Sequence, residues 1–385
     1  MNSKYSSAAL WTAASVLMVL ITIFISIGLY VAYLRLDYSF DIGPKFSRFD
    51  GQLGWTLKPN ASSFIKGSSV LKNTVYFDST VFTDNLGFRS SQSKKLASPG
   101  GILAIGDSWT FGYCVDYEDS YPFFLEQELS MPVTNMGVPA YGSGSTYGLL
   151  ERHVAELKPK VVVYFTIGLW SRSFASFKTT NELAIFKKSA LLPHFVYDYE
   201  RKKSQLIYPE PNRVSNSVQE GVYPGGSLTA GYNLWNYLWH VKLEQLLNKI
   251  RKIVGLGPKQ NKGQVSANFN DNAHLKLPTQ LLMEYELNLY LELAEKYDFQ
   301  FVLMEGPHGD TYSNAVEQVN LNSHDKKIIY ISPDEFHKEV YVQAEILNLP
   351  EEERRVPYDG HFASGSNKLI AKLVANTIRK KIPTL

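Results

Sequence analysis

The sequence predicts an α/β fold with a doubly wound, mainly parallel sheet, preceded by one N-terminal transmembrane helix. Three observations predict it. Beyond residue 100, short apolar runs alternate with stretches of helical period, the order of βαβ units. The run Lys160–Ile167 (KVVVYFTI) is a continuous apolar stretch, as expected of a strand covered on both faces. From Tyr5 to Leu34 there is no charged side chain.

The apolar stretch Ala8–Leu34 has 27 residues, about 40 Å as a helix, enough to span a bilayer core with tilt. Trp11 lies near one end and Tyr30 and Tyr33 near the other, where aromatic belts form. A cleaved signal peptide would have a shorter apolar region, about 7–15 residues. No small-x-small site follows Tyr33, so an uncleaved single-pass anchor over residues 1–35 is expected. Lys4 and the amino terminus face Arg35, Lys45 and Arg48 across the span, so flanking charge does not orient it.

Residues 36–95 form a lead-in segment rich in Gly, Asn and Ser. It has β-like runs at Val75-Tyr76-Phe77 and Val81-Phe82 and a turn at Asn85-Leu86-Gly87. Residues 96–385 form the main domain. Strands are expected at Gly101–Ile105, Val133–Val138 and Lys160–Ile167. Helices are expected at Asp119–Leu129, with Pro122 early, and at Thr146–Leu157. An insertion at 174–275 breaks the rhythm with Pro193, Pro209, Pro211, Pro224 and Gly225-Gly226. Its helix around Leu234–Val254 places Trp235, Trp239, Leu243, Leu246 and Ile250 for packing on the core, the alternative being a lid or membrane-facing element beside Lys249, Arg251 and Lys252. The rhythm resumes with a helix at Pro278–Tyr297, strands at Gln300–Glu305 and Lys327–Ile331, and a closing helix at Ser364–Lys381.

Composition narrows the function. Of 385 residues, 44% are apolar and 20% charged, which is globular rather than disordered. Basic residues number 39 and acidic ones 37, a net charge of +2, with no electrostatic footprint for nucleic acid. Cys114 is the single cysteine, which excludes an intrachain disulfide and a cysteine zinc site. It reads as a buried filler. No His/Asp/Glu spacing suggests a metal, and no cofactor is called for.

Three short motifs can carry chemistry. Gly106-Asp107-Ser108-Trp109 follows the strand GILAI, placing a serine at the carboxyl end of a strand, where open α/β sheets build their sites. Asp359-Gly360-His361 stands just before the last helix. It offers a base and an orienting carboxylate, the two groups a serine nucleophile needs. Gly137 ends the second strand, where its backbone N–H can face an oxyanion. Each alone is also ordinary turn or strand-end chemistry.

In this order the three motifs resemble the SGNH (GDSL-type) hydrolase family. Gly54-Trp55, Lys58-Pro59-Asn60, Asp84-Asn85-Leu86-Gly87-Phe88-Arg89 and Phe111-Gly112 with Val115 add a resemblance to its membrane-anchored extracytoplasmic branch. The resemblance covers roughly residues 50–173 and 276–382. It implies a three-layer, flavodoxin-like sheet. It also implies Ser108 as nucleophile, His361 as general base and Asp359 as its orienting acid, with the Ser108 and Gly137 N–H groups in the oxyanion hole. Asp107, Trp109, Trp170, Ser171 and His308 would line the site. Two departures stand out. The family's Asp lies three residues before its His, where this chain has Tyr358. Its third block, Gly-x-Asn-Asp, reads here Gly168-Leu169-Trp170-Ser171-Arg172, with Trp170 on the Asn position. Loss of one oxyanion donor costs about 10²–10³ in kcat.

The resemblance implies a periplasmic or extracellular esterase acting on an O-acylated, most of all O-acetylated, cell-envelope glycan or lipid. The alternatives are an O-acetyltransferase working with a membrane acyl-donor protein, and a catalytically silent domain that binds glycan or a membrane partner.

Overall fold

The computed structural model describes residues 7–69, 72–93, 99–168, 172–209, 278–306, 312–323, 326–357 and 359–383. The chain divides into two compact units. In the smaller, helix α1 (Ser7–Asp37) leads into strand β1 (Tyr38–Ile42). The described apolar side chains of α1 from Val16 to Tyr30, Phe24 at 68% and Leu29 at 68% among them, are exposed. Among the described residues, no helix is long and apolar enough to cross a membrane. The transmembrane span expected over 8–34 is therefore not found among the described residues.

The larger unit holds the predicted α/β rhythm. The lead-in segment gives a hairpin, β2 (Ser47–Asp50) with β3 (Gly54–Leu57), then β4 (Ser62–Ser69) and β5 (Thr74–Thr83), of which Lys66–Tyr76 count with the smaller unit, and the short β6 (Arg89–Ser90). The core follows as β7 (Ile102–Gly106), α2 (Ser108–Phe111), α3 (Tyr121–Leu129), β8 (Val133–Gly137), α4 (Ser143–Leu157) and β9 (Val161–Thr166). The insertion contributes β10 (Phe174–Phe177), α5 (Thr180–Ser189), β11 (His194–Asp198) and β12 (Lys203–Ile207). The chain closes with α6 (Thr279–Tyr297), β13 (Gln300–Glu305), α7 (Ser313–Asn322), β14 (Ile329–Ile331), a π-helical stretch at His337–Val342, and α8 (Ser364–Lys381).

The parallel strands lie side by side as β8-β7-β9-β13-β14. Numbered along the chain, that is the flavodoxin-like order 2-1-3-4-5, whose switch point falls between the first and third strands. Here it falls between β7 and β9, and Ser108 follows β7. The lead-in strands do not stand apart from this sheet. β6 pairs antiparallel with β8 through Arg89 and Asn135, and β5 pairs with β6, so the sheet is mixed.

Alternation along the strands makes the layers. Ile102, Ala104, Val161, Val163, Phe165, Val302 and Met304 share one buried cluster with Tyr121 and Leu125 of α3 and Ile370, Val374 and Ile378 of α8. On the opposite face, Tyr290 of α6 stacks on Phe301 at 4.7 Å and meets Tyr164 and Tyr147, each at 5.3 Å between ring centroids. The first part of the insertion makes its own small core from Phe177, Leu183, Phe186, Val196 and Ile207. Thr179 caps α5 by accepting from the Glu182 N–H at 3.2 Å. The helix expected at Leu234–Val254 lies outside the described residues.

Two buried acids sit under the α4–α6 face. The Tyr312 hydroxyl donates to Glu286 Oε2 at 2.9 Å, and the Tyr312 N–H donates to Glu305 Oε2 at 2.9 Å. Tyr330 donates to the same Glu305 oxygen at 2.6 Å. Burial pushes the Glu286 carboxyl from 4.5 up to about 8, against the opposing Tyr312 hydrogen bond. The folded protein therefore holds a proton that the unfolded chain releases between those two values. This contribution to stability is full below about pH 4.5 and is lost as pH rises through about 8. Glu286→Gln is expected to flatten the fall of the melting temperature between pH 5 and 8. An unchanged slope would assign the pH dependence to other groups.

Candidate active site

The site begins where β7 ends. Gly106 has φ +153, and a Cβ there would lie 2.6 Å from the Phe165 carbonyl oxygen and 2.3 Å from Thr110 Oγ1. Only glycine lets the chain leave the sheet at this point. Asp107 precedes α2, and its Oδ1 accepts from the Trp109 N–H at 3.0 Å, capping the helix. Burial pushes the Asp107 carboxyl up, against the Trp109 bond and the charges of Arg172 and His361. Ser108 is the first residue of α2, so its N–H has no intrahelical acceptor. Gly112, left-handed at φ 76, closes the turn by donating to the Ser108 carbonyl.

Asn135 fastens this turn to the sheet. Buried in β8, it donates from Nδ2 to the Thr110 carbonyl at 2.9 Å, and its Oδ1 accepts from the Gly137 N–H at 3.0 Å. The Gly137 N–H is thus already engaged, and serving an oxyanion would require that bond to be exchanged. The structure gives Gly137 a packing task as well. A Cβ there would meet the Phe111 nitrogen at 2.2 Å and the Thr110 carbonyl carbon at 2.7 Å.

The base arrives from the other end of the chain. Arg355 and Phe362 form an antiparallel bridge. Between them, Val356 donates to the His361 carbonyl at 2.8 Å and Gly360 to the Val356 carbonyl at 3.0 Å. His361 Nε2 stands 2.8 Å from Ser108 Oγ. His361 Nδ1 hydrogen-bonds Asp359 Oδ1, which also accepts the His361 backbone N–H at 3.3 Å. With Nδ1–H donated to the carboxylate, Nε2 is left as the acceptor facing the serine hydroxyl. The unusual two-residue spacing works because Gly360, at φ 90, folds the Asp359 carboxylate back onto the histidine. The imidazole lies between Trp109 and Tyr113, with ring centroids at 5.4 and 5.3 Å. Cys114 is buried, and burial together with the nearby Asp359 pushes its thiol well up, so it is no competing nucleophile.

Next to Asp107 lies a small cleft lined by Tyr141, Gly142, Ser143, Thr146, Tyr164, Phe165, Thr166 and Ile167. Gly142 was not singled out by the sequence. It precedes α4, and a Cβ on it would meet Ser173 Oγ at 2.2 Å. Its N–H has no acceptor among the described residues. The lead-in hairpin braces this loop: the Trp55 indole donates to the Pro139 carbonyl at 3.2 Å, and the Tyr141 hydroxyl donates to the Trp55 carbonyl. The sequence signal, in hindsight, is Gly142 preceding the small run Ser143-Gly144-Ser145. Trp170, Ser171 and His308 lie outside the described residues. Among the described residues, no group of His, Cys, Asp and Glu could hold a metal ion.

No family model matches the chain, and no curated protein matches it. Among solved structures, a protein from Desulfitobacterium hafniense DCB-2 named as lipolytic and of the G-D-S-L family is 14% identical. The match covers 72% of this chain and 98% of that one at a TM-score of 0.31. A likeness that low carries no conclusion about activity.

Proposed function

We propose that this chain is a serine-dependent ester hydrolase of the SGNH type, with Ser108, His361 and Asp359 as its triad. The reading is carried by the 2.8 Å contact between Ser108 Oγ and His361 Nε2, with Asp359 behind the histidine. Ser108 Oγ attacks the ester carbonyl carbon while its proton passes to Nε2. The carbonyl oxygen becomes an oxyanion facing the Ser108 and Gly142 N–H groups. Collapse breaks the bond to the alcohol oxygen, which takes the proton from His361. Water, deprotonated by the same nitrogen, then attacks the acyl carbon; the bond to Ser108 Oγ breaks, Oγ takes the proton back from His361, and the acid is released. Asp359 balances the charge of the transient imidazolium.

The small cleft beside Asp107, lined by apolar as well as polar groups, supports a short acyl group, acetyl first. An O-acylated cell-envelope glycan or lipid is the proposed substrate class. The uncharged stretch from Tyr5 to Leu34, with its exposed apolar side chains on α1, supports a membrane anchor; a soluble part outside the cytoplasm is proposed from the resemblance to the extracytoplasmic branch alone. Transfer to a second hydroxyl, with a membrane acyl-donor protein as partner, would use the same acyl-serine. The arranged triad favours either activity over a silent binding domain.

The test is fluorophosphonate labelling of the full-length chain in detergent. Wild type is expected to label and Ser108→Ala to lose all labelling. A folded wild type that stays unlabelled would sink the reading. Product analysis with an added glycan then separates ester release from ester formation.

A further inference from the structure

We infer that Arg355 is a positioning residue that clasps the acid–base loop to the nucleophile turn, an inference that rests on the serine-hydrolase reading above. Its guanidinium carbon lies 5.0 Å from the Trp109 ring centroid, 5.2 Å from that of Tyr341 and 4.2 Å from that of Phe362. Trp109 follows the nucleophile and Phe362 follows the base, and the two rings meet edge-on at 4.4 Å. One planar cation therefore packs against the neighbours of both reacting residues.

The hydrogen bonds extend the same role. Arg355 Nη1 donates to the Gly360 carbonyl at 2.7 Å, and Nη2 donates to the Tyr341 hydroxyl. Gly360 is the single residue between Asp359 and His361. Its carbonyl belongs to the peptide plane that leads into His361, so fixing that oxygen fixes the entry angle of the imidazole. The N–H end of the same plane is held by Asp359 Oδ1 at 3.3 Å, so Arg355 fixes the carbonyl end, where Gly360 is exposed and, at φ 90, brings no side chain of its own. Tyr341 anchors the far side of the clasp. It lies in the π-helical stretch His337–Val342 and packs on the buried cluster through Phe336, at 6.1 Å between centroids. The distance at stake is the 2.8 Å contact to Ser108, where a shift of about 1 Å costs about 10²-fold in rate.

Lysine keeps the charge but has neither the planar face nor the second donor of the fork. Arg355→Lys and Arg355→Gln in the full-length chain therefore test the clasp against a plain charge effect. Both are expected to lower kcat on p-nitrophenyl acetate and the fluorophosphonate labelling rate by about 10²-fold, with KM within about twofold and little change in melting temperature. Amide exchange in the 356–361 peptide, read by mass spectrometry, should quicken in both variants. Wild-type labelling in either variant, or unchanged exchange, overturns the clasp. If Arg355→Gln fails to fold, Arg355→Lys carries both measurements. If wild type itself does not label, the hydrolase reading fails, and the exchange rates still decide whether Arg355 holds the loop.

Discussion

Asp359→Asn is expected to lower kcat for ester hydrolysis by about 10⁴-fold, and His361→Ala by at least as much. The reason lies in the histidine's two nitrogens. Asp359 accepts from Nδ1 and from the His361 backbone N–H, so only the Nε2 lone pair faces Ser108. An asparagine amide can offer N–H to Nδ1 instead, moving the ring proton to Nε2. Both nitrogen and serine would then be donors, and the 2.8 Å contact could no longer accept the serine proton. KM should change little, because neither side chain contributes uniform binding in this mechanism. Steady-state kinetics on p-nitrophenyl acetate, with the fluorophosphonate labelling rate alongside, measures this directly. A loss below tenfold for Asp359→Asn would remove Asp359 from the triad.

Gly137→Ala should destabilise the protein by about 3 kcal/mol or more, at the upper end for overpacking, and should slow labelling of Ser108 as well. The added methyl would lie 2.2 Å from the Phe111 nitrogen and 2.7 Å from the Thr110 carbonyl carbon. Both are backbone atoms of the nucleophile turn. They cannot rotate away as a flexible side chain would. The turn is also tied from below by Asn135 to the Thr110 carbonyl, so relief must come from moving α2 off β8. A lowered melting temperature with slowed labelling is the expected pair. An unchanged melting temperature would mean that the strand and turn are not in close contact. Slowed labelling at full stability would return Gly137 to a purely chemical role.

Much of this arrangement was legible in the sequence, for local reasons. The strands β7 and β9 and the centre of β13 are apolar runs, and hydrophobic pattern marks such elements directly. The order of Ser108, Gly137 and Asp359/His361 already suggested which loops meet. What was not legible depends on long-range pairing. That β6 joins the sheet beside β8 rests on Arg89 opposite Asn135, a register no local pattern encodes. The donor role foreseen for Gly137 missed that the Asn135 side chain already holds its N–H. Gly142 escaped notice because its place beside Asp107 is created by the brace from Trp55 and Tyr141. The two-residue spacing of Asp359 and His361 became intelligible only with the positive φ of Gly360.

The contact between Ser108 and His361 joins residues 253 positions apart, which sets a schedule for synthesis. At translation rates of about 5–20 residues per second, Ser108 is added to the chain roughly 13–50 s before its base. During that interval the serine is an ordinary alcohol with no proton acceptor. Every chain interrupted before residue 361 carries the GDS turn yet lacks an activated nucleophile. Reactivity toward cellular esters is thereby postponed until the whole sheet, including its last helix, is available to close around it.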